Sequence, residues 1–129
     1  MKKTLWAILI TILLFGIVIW EQIYIDNSLN TLIVNVNNVD TKITSSNNID
    51  NDEIIELCNN LDNYWTNKEK VLCLFINHND LSKVGEQIKK VNMLVLQNKK
   101  EECVIELDIL KFYANNYSHV MKVNIQNIL

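Results

Sequence analysis

The sequence predicts an all-α protein, an N-terminal transmembrane helix continuing into an up-down extracytoplasmic helical bundle. Three observations carry this expectation. The run Thr4 to Trp20 (TLWAILITILLFGIVIW) holds no charged residue and directly follows Lys2 and Lys3. Beyond it, apolar residues recur at steps of three and four, the spacing of one helix face. Proline is absent and glycine occurs only at Gly16 and Gly85, so the turn glycines of a β-rich domain are missing.

The first element is the anchor. At ~1.5 Å per residue, the apolar run and the Ile23–Ile25 extension reach across a ~30 Å hydrocarbon layer. Trp6 and Trp20 lie near its ends and Tyr24 just beyond, where amphipathic rings settle at an interface. A cleaved signal peptide has a shorter apolar region and small residues at its exit. Here the exit reads Trp20-Glu21-Gln22-Ile23-Tyr24-Ile25-Asp26, so an uncleaved signal anchor is expected. Lys2 and Lys3 place the N-terminus in the cytoplasm. Residues 1–25 are thus read as a cytoplasmic stub and transmembrane anchor, and residues 26–129 as a bundle outside the cell membrane.

The first bundle helix, expected over about 26–44, follows from Ile25, Leu29, Leu32, Val36, Val39 and Ile43. These form the narrow seam of a coiled coil or of a helix packed in a bundle. Ser45-Ser46-Asn47-Asn48 ends it. Asp50 or Asn51 can cap a second helix, about 51–77, whose apolar face includes Ile54, Leu57, Cys58, Leu61, Tyr64, Trp65, Leu72, Phe75 and Ile76. Thr66 and Glu69 match a capping box, but the apolar phase is unbroken there, so one continuous helix is expected. Asn77-His78-Asn79 forms a turn and Asp80 caps a third helix, about 80–97, with Leu81, Val84, Ile88, Val91 and Val95 inward. Asn98 stops it. Cys103, Leu107, Leu110, Ala114 and Tyr117 mark a fourth helix, about 99–119, and Ile125, Ile128 and Leu129 are expected to pack back on the bundle. Short turns make sequential helices antiparallel.

Charge narrows the partners. All 15 acidic residues follow the apolar run that ends at Trp20, whereas two of the 12 lysines precede it, and arginine is absent. An acidic outer domain disfavours nucleic acid and anionic lipid surfaces. Without arginine, bidentate recognition of phosphate or carboxylate is lost. Cys58, Cys73 and Cys103 are widely spaced and lie in or beside apolar stripes, where cysteine acts as a small hydrophobe. A zinc site drawn from them with His78 and His119 has no matching ligand spacing. Cys73 and His78 are five residues apart and do not share a helix face. Glu101, Glu102, Glu106 and Asp108 fit a solvated helix face better than a catalytic carboxylate pair. No catalytic set, metal site or cofactor is expected.

The segment from Tyr64-Trp65 through Phe75-Ile76-Asn77-His78-Asn79-Asp80-Leu81, with Glu106-Leu107, Leu110 and the closing Asn127-Ile128-Leu129, resembles the family described as domain of unknown function 4363, small anchored helical proteins of spore-forming Gram-positive bacteria. The resemblance takes in most of the chain, the lysine-led anchor included. It implies a helical protein without an assigned reaction. Relatives are often encoded beside a small integral membrane protein, which implies a membrane complex. Cys73 and Cys103 are not part of the family pattern.

The function expected is therefore that of a non-enzymatic interaction or accessory subunit of a cell-envelope membrane complex. The alternative is an extracytoplasmic ligand-sensing bundle that acts through a partner. Expected partners are the lipid bilayer, an integral membrane protein and a second copy of the chain. Trp65 and His78 are the candidate partner contacts. Against this, Trp65 would ordinarily fill the core and His78 would ordinarily be an exposed turn residue.

Overall fold

The computed structural model describes the backbone of residues 1–128 and the side chains of residues 1–117. It contains four helices: α1 (Lys2–Ser45), α2 (Asp52–Leu72), α3 (His78–Leu96) and α4 (Lys100–Ile128). The α1 helix packs against α2 and α4, and both of these pack against α3, so α1 and α3 occupy opposite corners of a four-helix bundle.

Helix α1 has two halves of different chemistry on one uninterrupted backbone. Residues 1–20 are exposed on every side. This half is long and apolar enough to cross a membrane. From Ile25 onward the same helix buries one stripe only, at Ile25, Leu29, Leu32, Val36, Val39 and Ile43. The seam with coiled-coil spacing is thus spent inside the chain's own bundle. Its counterparts are Ile54, Cys58, Leu61, Trp65 and Leu72 on α2, Leu81, Val84, Ile88, Val91 and Val95 on α3, and Cys103, Leu107, Leu110 and Ala114 on α4.

The helix ends depart from the sequence expectation in instructive ways. Asn51 caps α2 by accepting from the Ile54 N–H at 3.0 Å, and the helix runs unbroken past Thr66. It stops at Leu72, five residues before the expected end. Phe75 and Ile76 stay in the core's reach because the chain tightens, with the Phe75 and Ile76 N–H groups both donating to the Leu72 carbonyl. The third helix begins at His78, not Asp80. Its cap is Asn77, which accepts from the Asn79 N–H at 2.9 Å.

Helix α3 closes in a Schellman turn. Asn98 adopts a left-handed conformation (φ 53°), the Lys99 N–H donates to the Leu94 carbonyl and the Asn98 N–H to the Val95 carbonyl, each at 3.0 Å. Asn98 then does a second job. Its Oδ1 accepts from the Ile49 N–H at 2.9 Å, tying this turn to the α1–α2 loop. Lys100 adds two bonds to that loop, to the carbonyls of Ser46 and Thr44. Ile49, which no periodicity marks, is consequently fully buried.

Helix α4 continues beyond 119 to Ile128. His119 and the expected packing of Ile125, Ile128 and Leu129 lie outside the described side chains.

Candidate functional site

Trp65 is 1% exposed, so in this fold its ring offers no surface to a partner. Its indole N–H donates to the Leu81 carbonyl on α3 at 3.3 Å. Gly85 faces the ring: a Cβ at Gly85 would meet the indole Cδ1 and Nε1 at 3.5 Å, an ordinary van der Waals contact. His78 is exposed at the first position of α3. Its ring lies 3.4 Å from the Ser82 hydroxyl, a pairing the sequence reading overlooked. That hydroxyl also donates to the His78 carbonyl at 2.9 Å, a bond within one helical turn that occupies its proton.

The three cysteines are free thiols in two environments. Cys58 and Cys103 are buried, and burial pushes their thiols up, Cys58 to about 12 with a further contribution from Cys103, and Cys103 to about 11 with further contributions from Asp40 and Glu106. Such thiols are poor nucleophiles at neutral pH. Cys73 is exposed, so the expectation of a core position fails there, because α2 ends one residue before it. Among the described residues, no three His, Cys, Asp or Glu side chains converge as a metal site would require.

The carboxylates separate as well. Glu106 turns toward α3, where Gln87 donates to both its backbone and its side-chain oxygens and Lys90 lies at 3.9 Å. Asp40 on α1 is paired with Lys111 on α4. These contacts fix the register of α4 against both neighbours. Glu101, Glu102 and Asp108 remain in solvent.

The most distinctive surface is the outer side of α4. Ile105, Ile109 and Phe112 are exposed at 60%, 36% and 65%. Their steps of four and three place them on one row, opposite the seam of Cys103, Leu107, Leu110 and Ala114. Helix α4 is therefore apolar on two faces, and only one is used inside the chain. Glu101, Glu102 and Asp108 edge the outer row. A narrow cleft of about 20 Å³ between α2 and α3, lined by Ile55, Cys58, Asn59, Asn92, Val95 and Leu96, holds the unpartnered Oδ1 of Asn92. It has room for about one water and is far below the ~300 Å³ of a small-molecule pocket.

The family model for a domain of unknown function, DUF4363, matches residues 19–128. The chain belongs to the DUF4363 family. The match starts at Ile19, so it covers the bundle and the last turn of the apolar half. The lysine-led stretch that the resemblance was expected to include precedes it. No curated protein and no solved structure matches the chain. Within the DUF4363 segment, the residues that carried the resemblance have structural work: Trp65 locks α2 to α3, Asn77 caps α3, and Leu81 both fills the core and accepts from the indole.

Proposed function

We propose that this DUF4363 protein is a single-pass membrane protein that acts without catalysis, its bundle outside the cytoplasmic membrane serving as an accessory subunit of an integral membrane partner. The apolar half of α1 supports the anchor. Lys2 and Lys3 ahead of it support a cytoplasmic N-terminus. The single observation that carries the partner is the row Ile105, Ile109 and Phe112, an exposed apolar stripe of the kind that marks an interaction face.

The charges around the row favour a different protein over a second copy. Two copies anchored in one membrane stand parallel, so Glu101 and Glu102 would oppose themselves across a symmetric α4 contact. Like charges brought together this way are destabilising. A partner helix with an apolar face edged by lysine or arginine fits instead.

Two experiments test the reading. A reporter enzyme active only outside the cytoplasm, fused after Leu129, is expected to be active; activity only from a cytoplasm-dependent reporter reverses the orientation. Affinity capture of the full chain from native membranes is expected to recover an integral membrane protein, and Ile109→Glu with Phe112→Glu is expected to abolish that recovery while the helical content is kept. Recovery of the chain alone, as a monomer, rejects the accessory-subunit role.

A further inference from the structure

The four helices end in two kinds of connection. At the end of the bundle where α1 emerges from its apolar half, the α2–α3 turn reads Cys73-Leu74-Phe75-Ile76. At the opposite end the connections read Ser46-Asn47-Asn48 and Gln97-Asn98-Lys99. Leu74 is 74% exposed, more than any other large apolar residue after Met1 among the described residues. An apolar turn tip in water is unusual, because loops that face water are ordinarily polar.

Aromatic contacts fix the height of this turn along α1. Trp20 meets Phe75 edge-on with ring centroids 6.5 Å apart, and stacks on Tyr24 at 5.6 Å. Lys68, from the last turns of α2, lies over the Tyr24 ring at 4.9 Å. Trp20 and Ile23 are also where the all-round apolar exposure of α1 stops. The turn is therefore level with the residue that closes the apolar half.

A turn enters the interface at least cost where its N–H groups are already paired within the chain. The turn meets this condition. The N–H groups of Cys73, Leu74, Phe75 and Ile76 donate in order to the carbonyls of Glu69, Val71, Leu72 and Leu72, at 2.8–3.1 Å. The carbonyls of Cys73 to Ile76 accept no backbone bond and are left to the water of the interface; the side chains at the tip are a thiol and a leucine. The flanking Lys70, His78 and Asn79 are exposed and polar, suited to the headgroup layer around an apolar tip.

We propose that the α2–α3 turn, with Cys73 and Leu74 at its tip, inserts into the outer interface of the bilayer that α1 crosses, giving the bundle a second footing on lipid. This rests on the reading of α1 as a membrane span. The contact is apolar, so it forms on zwitterionic lipid and withstands salt. Its role is to hold the bundle upright, so that the α4 row runs along the membrane normal and faces sideways.

Cys73 supplies the probe, since Cys58 and Cys103 are buried. The full chain, labelled at Cys73 with an environment-sensitive maleimide, is reconstituted in phosphatidylcholine vesicles. A distal control carries the label at Asn47→Cys in a Cys73→Ser background. The Cys73 probe is expected to be blue-shifted, quenched by headgroup-attached nitroxide lipid, and several-fold less accessible to aqueous iodide than the distal probe. Leu74→Asp is expected to restore iodide access toward the distal value with unchanged circular dichroism. If the chain resists an alkaline carbonate wash yet the two probes are equally accessible, the second footing is wrong and the anchor stands. If the chain washes off, the anchor reading fails and the inference with it. Shielding that fades as the chain is diluted in lipid assigns the turn to a second copy and overturns the lipid contact.

Discussion

The two ends of the bundle are fastened by opposite chemistry. The far end is stitched by polar groups: Asn98 to the Ile49 N–H, and Lys100 to the carbonyls of Ser46 and Thr44. The near end is held by rings, with Trp20, Tyr24 and Phe75 in contact, Tyr64 donating to the Ser28 carbonyl at 2.9 Å, and Trp65 reaching Leu81. Hydrogen bonds to backbone are directional and survive in water because their partners are preorganised. Aromatic packing is less directional and tolerates a neighbouring medium that is part water and part hydrocarbon. The difference fits a molecule with one end in solvent and the other at a membrane.

The comparison breaks most visibly at Trp65. Truncation of a buried aromatic typically costs ~3–5 kcal/mol, against a total of ~5–15 kcal/mol for a domain. Trp65→Ala is expected to leave the bundle marginal or unfolded by urea titration. His78→Ala, at the exposed start of α3, is expected to stay within ~0.5 kcal/mol. A larger loss would show that the His78 ring has a structural bond across the turn.

At the far end the corresponding position is Asn98. Asn98→Ala removes the partner of a part-buried N–H and places a Cβ-bearing residue without a polar side chain in the left-handed region, so a loss of ~1–3 kcal/mol is expected. Asn98→Gly keeps the conformation and loses only the side-chain bonds, from the Ile49 N–H and to the Asn48 Oδ1, so its loss should be smaller. Equal losses would mean that the bond, and not the backbone conformation, carries the joint.

Alkaline pH should act on the core between the ends. An unfolded thiol ionises near 9.0, whereas burial holds Cys58 protonated to about 12 and Cys103 to about 11. Burial also pushes the Tyr64 and Tyr117 phenols up. Each folded pKa lies above its unfolded value, so the stabilisation is complete below pH 9 and is lost progressively as pH rises from there through the folded values of about 11 and about 12. Urea midpoints should fall over that window, and fall less steeply in a Cys58→Ala, Cys103→Ala variant. Thiol titration at pH 8 should find Cys73 alone reactive until the chain unfolds.

The smallest effect is at Gly85. A methyl there would make ordinary contact with Trp65 at 3.5 Å, and alanine is the better helix former by ~1 kcal/mol. Gly85→Ala should therefore be neutral or modestly stabilising in the same titration, while Gly85→Leu should displace the indole and cost stability.

Much of the bundle was legible because it is periodic. The seams of α1 and α3 could be read directly from steps of three and four, and every named residue of both is buried. What escaped lies where periodicity does not operate. Ile49 is a single apolar residue in a polar loop, and only the three-dimensional meeting of that loop with Asn98 buries it. The end of α2 was misplaced because Phe75 and Ile76 keep the apolar phase while the backbone tightens into a turn. The two available caps, Asn77 and Asp80, are chemically similar, and geometry alone selects Asn77. The outer row of α4 did leave a signal: Ile105, Ile109 and Phe112 repeat at helical spacing out of phase with the seam.

The unbroken backbone of α1 has a mechanical consequence. With no hinge between Trp20 and Ile25, the bundle is geared to the apolar half like a crank to its shaft. Each residue added between them would swing the bundle by about 100° and raise it by about 1.5 Å, and a fourth would bring it nearly round again. The direction in which the α4 row faces about the α1 axis is therefore set by a residue count in α1, so under the proposed anchoring a partner fixed in the membrane plane would notice the insertion of one residue far more than that of four.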